Sequence, residues 1–296
     1  MSLIDSHAHL DFIEDLDGVI SRAKDESIEA IVTIGTSVEC SMKCIQIADT
    51  HSHIALADRS EGQVNIPAIY ATCGIHPEDG KKDLDKFGND YISELEKVVK
   101  SSDKVVAIGE CGLDYHIGRD QRPVTSSEEK GFQRELFKNQ VELALKLDLP
   151  LVVHCRNAWE EIFEIISEAK QGLSLTGVQG ETLLRGVFHS WTGDCDAAKK
   201  ALELGFYISF SGIITFKNAK DIQESAKIVP LNRMLIETDS PFLAPEPFRG
   251  SKNEPKNVRI IADFLASFLD VPAETIYSAT NANCQELFGI QLKKVF

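Results

Sequence analysis

The chain has 296 residues, of which 43% are hydrophobic and 26% charged, as expected for a globular protein with a sizeable core. Its 46 acidic residues outnumber its 31 basic residues and give a formal net charge of −15. This balance argues against attachment to nucleic acid or to a membrane through a generally basic surface, although bound cations could supply positive charge locally.

Nothing in the sequence indicates export or membrane insertion. The N-terminal residues lack a basic stretch followed by an apolar core, and no apolar run approaches the roughly 20 residues of a membrane span. The seven cysteines are scattered and form no C-x-x-C pair, which is typical of a reduced protein with buried thiols. We therefore expect a cytoplasmic protein, with the nucleus as the alternative compartment, and no association with a membrane.

Short apolar runs rich in Val and Ile alternate with longer amphipathic segments along the chain. Their nearly continuous hydrophobicity predicts strands that are buried on both faces. The predicted strands are Leu3–His7, Ala30–Gly35, Ile69–Gly74, Lys104–Glu110, Leu149–His154, Gly186–His189, Phe206–Ser211 and Arg233–Asp239.

Helical spacing is clearest over Glu128–Leu147, which Pro150 follows. The other predicted helices are Asp85–Lys100, Trp159–Lys170, Asp194–Leu204, Ala219–Lys227, Asn257–Phe268 and Ala273–Phe288. Eight strands alternating with helices predict an α/β fold, a single (β/α)8 barrel over residues 1–296. Two irregular stretches, His116–Ser127 and Gln171–Thr182, are interpreted as surface insertions, with a substrate-facing loop as the alternative.

Histidine and carboxylate side chains fall at the ends of several predicted strands. His7 and His9 form an H-x-H pair at the end of the first strand, and alternate residues of a strand point to the same side. The fourth, fifth, sixth and eighth strands end in Glu110, His154, His189 and Asp239. The carboxyl ends of barrel strands converge on one face, and both residue types are good ligands for divalent metals. Because one open catalytic ion commonly has three protein ligands, these six residues predict two divalent ions bridged by Glu110.

Two similar-looking features carry less weight. His51 and His53 form a second H-x-H pair, but it lies in a polar stretch, and we predict an exposed loop there. Cys155 adjoins His154, yet neighbouring strand residues point to opposite sides, so a buried structural thiol is predicted rather than a nucleophile.

Further polar residues flank the predicted metal site, and each has two interpretations. His76 either caps a loop or meets the phosphate or leaving oxygen of a substrate. Asp114 and Tyr115 either contact substrate or form a turn with a buried ring. A basic patch follows the last strand, where barrels often bind phosphate, and is otherwise a solvated helix start. Its residues are Arg249, Lys252 and Lys256.

Seven segments resemble the TatD-type deoxyribonucleases, a branch of the metal-dependent amidohydrolase superfamily. They are IDSHAHLDF, CGIHPED, IGECGLDY, QRELFKNQVELALKLDLPLVVHCRNAW, VFHSWTGD, ISFSGI and LIETDSPFLAPEPFRGSKNEPKNVR. The resemblance runs from about Ile4 to Phe288. It implies a TIM barrel with a two-metal centre and metal-dependent hydrolysis of DNA, typically as a 3′-to-5′ exonuclease.

The resemblance also implies how the site residues divide. His7, His9 and Asp239 would hold one ion, His154 and His189 would hold the other, and Glu110 would bridge. His76 matches a position in the family's substrate pocket. Two departures affect substrate contacts only. His116 stands where many relatives have Tyr or Arg, and SWTG follows His189 in place of the commoner aromatic-Ser-Gly.

The mechanistic hypothesis concerns a DNA phosphodiester, preferably in a single strand, with no obligate protein partner. A hydroxide between the ions would attack phosphorus, and Asp239 would accept its proton. His76 would orient the phosphate or protonate the leaving oxygen, while Glu110 bridges the ions. The family resemblance favours Mg²⁺, whereas the imidazole-rich ligand set favours Zn²⁺ or Mn²⁺.

Two other functions remain open on the sequence. The first is hydrolysis of an ester, lactone or cyclic amide by the same chemistry, for example removal of a D-amino acid from tRNA. Relatives with strongly electrophilic substrates commonly bridge their ions with a carboxylated Lys, and the fourth predicted strand ends in Glu110 instead. The second is a non-catalytic nucleic-acid-binding barrel, which the lack of a broad basic stripe disfavours.

Overall fold

The architecture is built on eight parallel strands that pair in chain order in one sheet. The computed structural model describes residues 1–59, 66–116, 125–175 and 183–291. The strands are β1 (Leu3–Ala8), β2 (Ile28–Thr33), β3 (Ala68–Cys73), β4 (Val105–Asp114), β5 (Leu151–Arg156), β6 (Gly186–Phe188), β7 (Tyr207–Phe210) and β8 (Met234–Ile236). The helices are α1 (Leu16–Asp25), α2 (Val38–Arg59), α3 (Gly80–Phe87), α4 (Tyr91–Val99), α5 (Ser127–Leu147), α6 (Trp159–Leu175), α7 (Cys195–Glu203), α8 (Lys220–Ile228), α9 (Val258–Leu269) and α10 (Ala273–Phe288).

Backbone hydrogen bonds join β1 to the segment that follows β8. The His9 amide donates to the Ser240 carbonyl oxygen at 2.7 Å, and the Asp239 amide donates to the His7 carbonyl oxygen at 2.9 Å. A parallel bridge pairs Ala8 with Ser240. The sheet is therefore a nearly closed barrel with helices between its strands, and the predicted (β/α)8 architecture is confirmed.

Burial of the strands explains why their sequences are almost uniformly apolar. All ten residues of β4 are buried, as expected for a strand covered on both faces. The main hydrophobic core packs the strands against the surrounding helices, and a second cluster joins strand residues to Leu287 and Phe288 of α10. The long α5 begins with a capping box, in which Ser126 and Glu129 each accept a hydrogen bond from the other's backbone amide.

Several predicted boundaries are wrong. The helix predicted over Asp85–Lys100 is two helices, α3 and α4, because the chain turns at Gly88 with a φ of 58°. The fourth strand continues past Glu110 to Asp114, and β8 ends three residues before Asp239. Helices α1 and α2 were not predicted. Along the described side chains of α2, the buried residues Val38, Ser41, Ile45 and Ala48 recur at helical spacing, but polar residues interrupt the apolar pattern in the sequence.

The predicted exposed loop at the second H-x-H pair is also wrong. His51 lies in α2 and is buried. By contrast, Cys155 is a buried thiol as predicted, and burial raises its pKa above the ordinary range. Of the two predicted insertions, Gln171–Leu175 continues α6 and Ser127 begins α5, whereas 117–124 and 176–182 lie outside the described residues. Within the described ranges, no helix combines the length and the apolar content needed to cross a bilayer.

Candidate metal centre

The first cluster consists of His7, His9 and Asp239, at the carboxyl end of β1 and just after β8. Asp239 Oδ1 lies 3.4 Å from His7 Nε2 and 3.3 Å from His9 Nε2, and the two imidazole nitrogens are 3.3 Å apart. Asp239 has a left-handed φ of 58°, an unusual conformation for a residue other than glycine that often marks functional sites. All three residues are buried. Three potential metal ligands from opposite ends of the chain thus converge on one point.

The second cluster consists of His154 on β5 and His189 just after β6. Glu110 Oε1 lies 2.9 Å from His154 Nδ1 and 2.8 Å from His189 Nε2, and these nitrogens are 3.1 Å apart. The approach of β4 to β5 requires Gly112, which has a φ of 144°, because a Cβ there would lie 2.0 Å from the His154 carbonyl oxygen. The glycine lets β4 deliver Glu110 against the imidazole of His154.

Glu110 is shared by the two clusters. While its Oε1 faces the second cluster, its Oε2 lies 3.6 Å from His7 Nε2 and 3.8 Å from His9 Nε2. The residue is only 3% exposed. A carboxylate whose two oxygens face two groups of imidazoles has the arrangement needed to join two cations. The structure therefore brings together all six of the predicted metal ligands.

Carboxylates outside the clusters orient the two histidines of the second cluster. Asp114 Oδ2 lies 3.0 Å from His154 Nε2, and Arg156 Nε donates to Asp114 Oδ1 at 2.7 Å. Glu237 Oε1 lies 3.3 Å from His189 Nδ1 and accepts the Ser190 amide proton at 2.7 Å. Such partners commonly fix the ring orientation and tautomer of metal-binding histidines.

Sequence reasoning missed the role of Glu237 and gave Asp114 a different one. Asp114 was considered as a substrate contact, yet its carboxylate is buried and bonds to His154 and Arg156. Glu237 precedes Asp239 by two residues, and this i, i+2 spacing was the available signal. The buried ring of Tyr115 donates its hydroxyl proton to Glu161 of α6 at 2.7 Å, which matches the buried-ring alternative.

The electrostatics of the centre follow from burying many ionisable groups together. Burial alone would raise the pKa of Glu110, but His189, His76 and His154 outweigh it and hold this pKa well below its ordinary value. Burial also opposes the charge on His9, yet its hydrogen bond to Asp239 and the nearby carboxylates raise its pKa to about 9. In the metal-free protein, bound protons thus supply positive charge between the carboxylates.

The donor set fits divalent cations. The Nε2 atoms of His7 and His9 face each other, and their Nδ1 atoms are buried without a hydrogen-bond partner among the described residues. At most one proton can lie between two neutral imidazole nitrogens, so a lone pair remains directed at the gap. A cation would accept it, together with the oxygens of Asp239 and Glu110. Three sets of three residues in this region each have donor atoms that lie within 4.8 Å of one another. They are His7, His9 and Asp239; His7, Glu110 and His189; and His76, Asp114 and His154. Imidazole and carboxylate donors suit Zn²⁺, Mn²⁺ and Mg²⁺ to different degrees.

His76 borders the second cluster. Its Nε2 lies 3.5 Å from Glu110 Oε1, and its ring centroid is 4.6 Å from that of His154. Its Nδ1 accepts the Glu78 amide proton at 3.2 Å, so the neutral ring carries its own proton on Nε2. Burial lowers the pKa of His76 to about 4. The N–H that this ring offers is therefore directed towards the centre.

In the predicted basic patch, Arg249 and Lys252 are exposed and Lys256 is half-buried, and all three are engaged with other side chains. The guanidinium of Arg249 lies 4.1 Å from the ring centroid of Phe216. Lys252 Nζ lies 3.7 Å from Glu14 Oε2, and Lys256 Nζ lies 3.4 Å from a carboxylate oxygen of Glu254. These pairings reduce the positive charge that the patch presents to a ligand.

Known proteins share this chain's sequence over nearly its whole length. The family model described as TatD related DNase matches residues 4–289. The chain belongs to the TatD-related DNase family. The metal-dependent hydrolase YabD of Bacillus subtilis is 37% identical over 97% of this chain and 99% of its own length. The metal-dependent hydrolase YcfH of Escherichia coli is 32% identical over 100% of this chain and 98% of its own length.

Solved structures agree on the fold. The crystal structure of YJJV, a TatD homologue from Escherichia coli, superimposes with a TM-score of 0.79 at 24% identity and covers 98% of both chains. A TatD-family hydrolase from Entamoeba histolytica gives a TM-score of 0.77 at 22% identity over 97% of this chain and 98% of its own. This chain is thus a metal-dependent hydrolase of the TatD family, with His, Asp and Glu clusters that could bind metal.

Proposed function

We propose that this protein is a divalent-metal-dependent deoxyribonuclease that removes nucleotides from the 3′ end of single-stranded DNA. The observation that carries the proposal is the position of Glu110, whose two carboxylate oxygens face two separate groups of histidines. Two cations held there would lower the pKa of water and neutralise charge that develops on a phosphodiester. The family match supports hydrolysis, and its description as DNase-related supports DNA as the substrate.

Each residue of the centre has a proposed part. His7, His9 and Asp239 hold one cation, His154 and His189 hold the other, and Glu110 joins them. Asp239 accepts the proton of the attacking water, because its side chain, although buried, is more exposed (11%) than that of Glu110 (4%).

His76 orients the phosphate. With Nδ1 occupied by the Glu78 amide, its Nε2–H faces the centre, 3.5 Å from Glu110 Oε1, and could donate to a phosphoryl oxygen there. Because burial lowers the pKa of His76 to about 4, the neutral ring is a poor acid, which favours orientation over protonation of the leaving oxygen. Asp114 and Glu237 are proposed to act indirectly, by holding the rings of His154 and His189.

The test uses purified protein and single-stranded DNA labelled at its 5′ end, with no added partner. After chelation, Mg²⁺, Mn²⁺ and Zn²⁺ are restored one at a time, and products are resolved on a sequencing gel. We expect no turnover in chelator and a one-nucleotide ladder from the 3′ end with at least one metal. The Asp239→Asn variant serves as the inactive control.

A panel of other substrates separates this proposal from its rivals. A p-nitrophenyl phosphodiester and an aminoacyl ester are assayed beside the DNA under the same conditions. Turnover of the ester alone would assign the centre to acyl hydrolysis. Stoichiometric binding of DNA without released nucleotide would assign a binding role. Either result contradicts the proposed nuclease.

A further inference from the structure

Two solvent-exposed phenyl rings stand beside the first cluster. Phe12 is 55% exposed and Phe242 is 49% exposed. Their ring centroids lie 5.9 Å and 5.7 Å from that of His9, and 6.0 Å from each other, in edge-to-face arrangements. We call these two residues the aromatic pair. The pair forms an apolar corner against an imidazole of the metal centre.

The backbone fixes the aromatic pair relative to the metal ligands. The Phe12 amide donates to the His9 carbonyl oxygen at 3.2 Å, in the short turn that follows β1. The Phe242 amide donates to the Asp239 carbonyl oxygen at 2.8 Å. Each phenylalanine is thus tied to a residue of the first cluster. The backbone positions that carry the two rings are therefore held beside the metal centre.

Ordinary packing does not explain this exposure. Single exposed apolar side chains are common and need no explanation. Here, two exposed rings touch each other next to a polar centre, where a substrate must enter. A flat ring face adjoining the proposed phosphate site matches a nucleotide, whose base is an aromatic plane within reach of its own phosphodiester.

The charge of the protein makes such a surface useful. With a net charge of −15, the chain cannot hold a DNA strand by general attraction to phosphates. In the predicted basic patch, Lys252 pairs with Glu14, and the guanidinium of Arg249 lies over Phe216. Proteins that bind single strands without sequence preference combine phosphate contacts with stacking of bases on aromatic side chains. Stacking can supply affinity where free cationic side chains are scarce.

We infer that Phe12 and Phe242 form a stacking surface for the nucleobase adjoining the scissile phosphodiester, an inference that rests on the proposed nuclease function. Every base has an aromatic face, so this contact tolerates all four bases. The aromatic pair would thereby position the terminal nucleotide. It would also distinguish a nucleic acid from an ester that lacks a planar ring.

The first test needs no mutation. The unmodified protein is given two single strands that differ only in the 3′-terminal residue, which carries a normal base in one and no base in the other. We expect the abasic end to raise KM roughly ten-fold or more, the scale of one lost stacking contact. Equal KM and kcat for the two strands would overturn the inference.

The second test measures stacking itself in a protein that does not cleave. In an Asp239→Asn background loaded with Mg²⁺, a strand ending in 2-aminopurine reports stacking through loss of fluorescence. We expect quenching on binding, and its loss together with a roughly ten-fold weaker Kd when Phe12→Leu and Phe242→Leu are combined. Phe248→Leu is the matched control, because Phe248 is also 49% exposed and has no ring contact with His9 within the described chain.

The results separate the inference from the proposed function. Cleavage of both strands with equal kinetics, or an equal effect of the Phe248→Leu control, refutes the stacking surface and leaves the nuclease standing. Quenching that depends on the aromatic pair, without cleavage of any DNA by the unmodified protein, refutes the nuclease and keeps the stacking surface. Absence of both quenching and cleavage refutes both.

Discussion

The two clusters of the metal centre are supported in different ways. In the second cluster, the outer nitrogens of His154 and His189 each meet a carboxylate, from Asp114 and Glu237. In the first cluster, the outer nitrogens of both histidines are buried, and no residue in the described part of the chain hydrogen-bonds to them. The first cluster is held instead by its backbone, through the bonds that close the barrel.

This difference indicates that the protein itself orients the histidines of the second cluster, whereas a bound cation would complete the first. Outer carboxylates fix the tautomer of an imidazole and make it a stronger ligand. The second cluster therefore has its imidazole nitrogens already directed at Glu110. Among the described residues His7 and His9 have no such carboxylate on their outer nitrogens, so their rings would gain their final arrangement from a cation. We expect the second cluster to bind its ion more tightly than the first.

The largest effect is expected from Glu110→Gln, which removes the one charge that both clusters share. Hydrolysis of DNA should fall about 10³-fold or more, since a preorganised charged group at the reacting centre is lost. Metal content, measured by mass spectrometry after gel filtration, should fall in both clusters. Glu224→Gln, at an exposed glutamate paired with Lys227, is the matched control and should be neutral. Near-normal activity of Glu110→Gln would show that the clusters do not work as a unit.

The next largest effect is the pH dependence of the free energy of unfolding of the metal-free protein. The pKa of His9 is raised to about 9, so protonated His9 stabilises the folded protein. This contribution to the free energy of unfolding is complete below about pH 6.5 and is lost as the pH rises to 9. The raised pKa of His189 acts in the same direction, as does that of Asp5 from pH 4 to 8. The lowered pKa values of His7 and His76 act in the opposite direction, but only below about 6.5.

We therefore expect His9 alone to lower the free energy of unfolding of the chelated protein by on the order of 3 kcal/mol between pH 6.5 and 9, with His189 and Asp5 adding to the fall. Urea titrations at a series of pH values measure this directly. His9→Gln should flatten the profile, whereas His116→Gln, at an exposed histidine, should not. Because metal displaces protons from its ligands, the loaded protein should also show a flatter profile. A flat profile before metal is added would contradict the role assigned to His9.

Removing the outer carboxylates tests the comparison most directly. Asp114→Asn and Glu237→Gln should each weaken metal binding by the second cluster about 10- to 100-fold, because an imidazole loses its orienting partner. Binding by the first cluster should change little. Isothermal titration calorimetry that resolves two binding events separates these effects. Asp148→Asn, at an exposed ion pair with Arg185, is the control. If both metal-binding steps were weakened equally, the outer carboxylates would not act on the second cluster alone.

The smallest effect is expected at the basic patch. Lys252→Met and Arg249→Met should each raise KM for DNA by no more than about five-fold, because exposed charges with existing partners contribute weakly. The kcat value should not change, since neither side chain belongs to the two clusters. Steady-state kinetics at low and high salt measure both quantities. A large fall in kcat would place these residues at the reacting centre.

Much of the fold and of the centre could be predicted because burial leaves a strong signal in the sequence. Strands covered on both faces must be apolar throughout, and a histidine or carboxylate at the end of such a run stands out. His154 and Asp239 are examples. The barrel brings such ends together, so six residues far apart in sequence could be expected in one place.

Other features leave no comparable signal. The partner of an imidazole depends on a distance across the barrel, so the i, i+2 spacing of Glu237 and Asp239 indicates that Glu237 lies near the centre without revealing its bond to His189. Polar residues interrupt the apolar pattern of α2, and His51 is buried in that helix although the polar sequence around it predicts an exposed loop. The role of Phe12 depends on the exposure of its ring, which periodicity does not report.

Closure of the barrel by the residues of the centre has a consequence for biosynthesis. His7 is synthesised early, but its carbonyl oxygen accepts a hydrogen bond from the amide of Asp239, which is added much later in translation. A growing chain on the ribosome carries the first histidines long before it has the carboxylate that completes them. Hydrolytic activity is therefore expected to begin only once the chain is almost fully synthesised, and unfinished or truncated products should be inert.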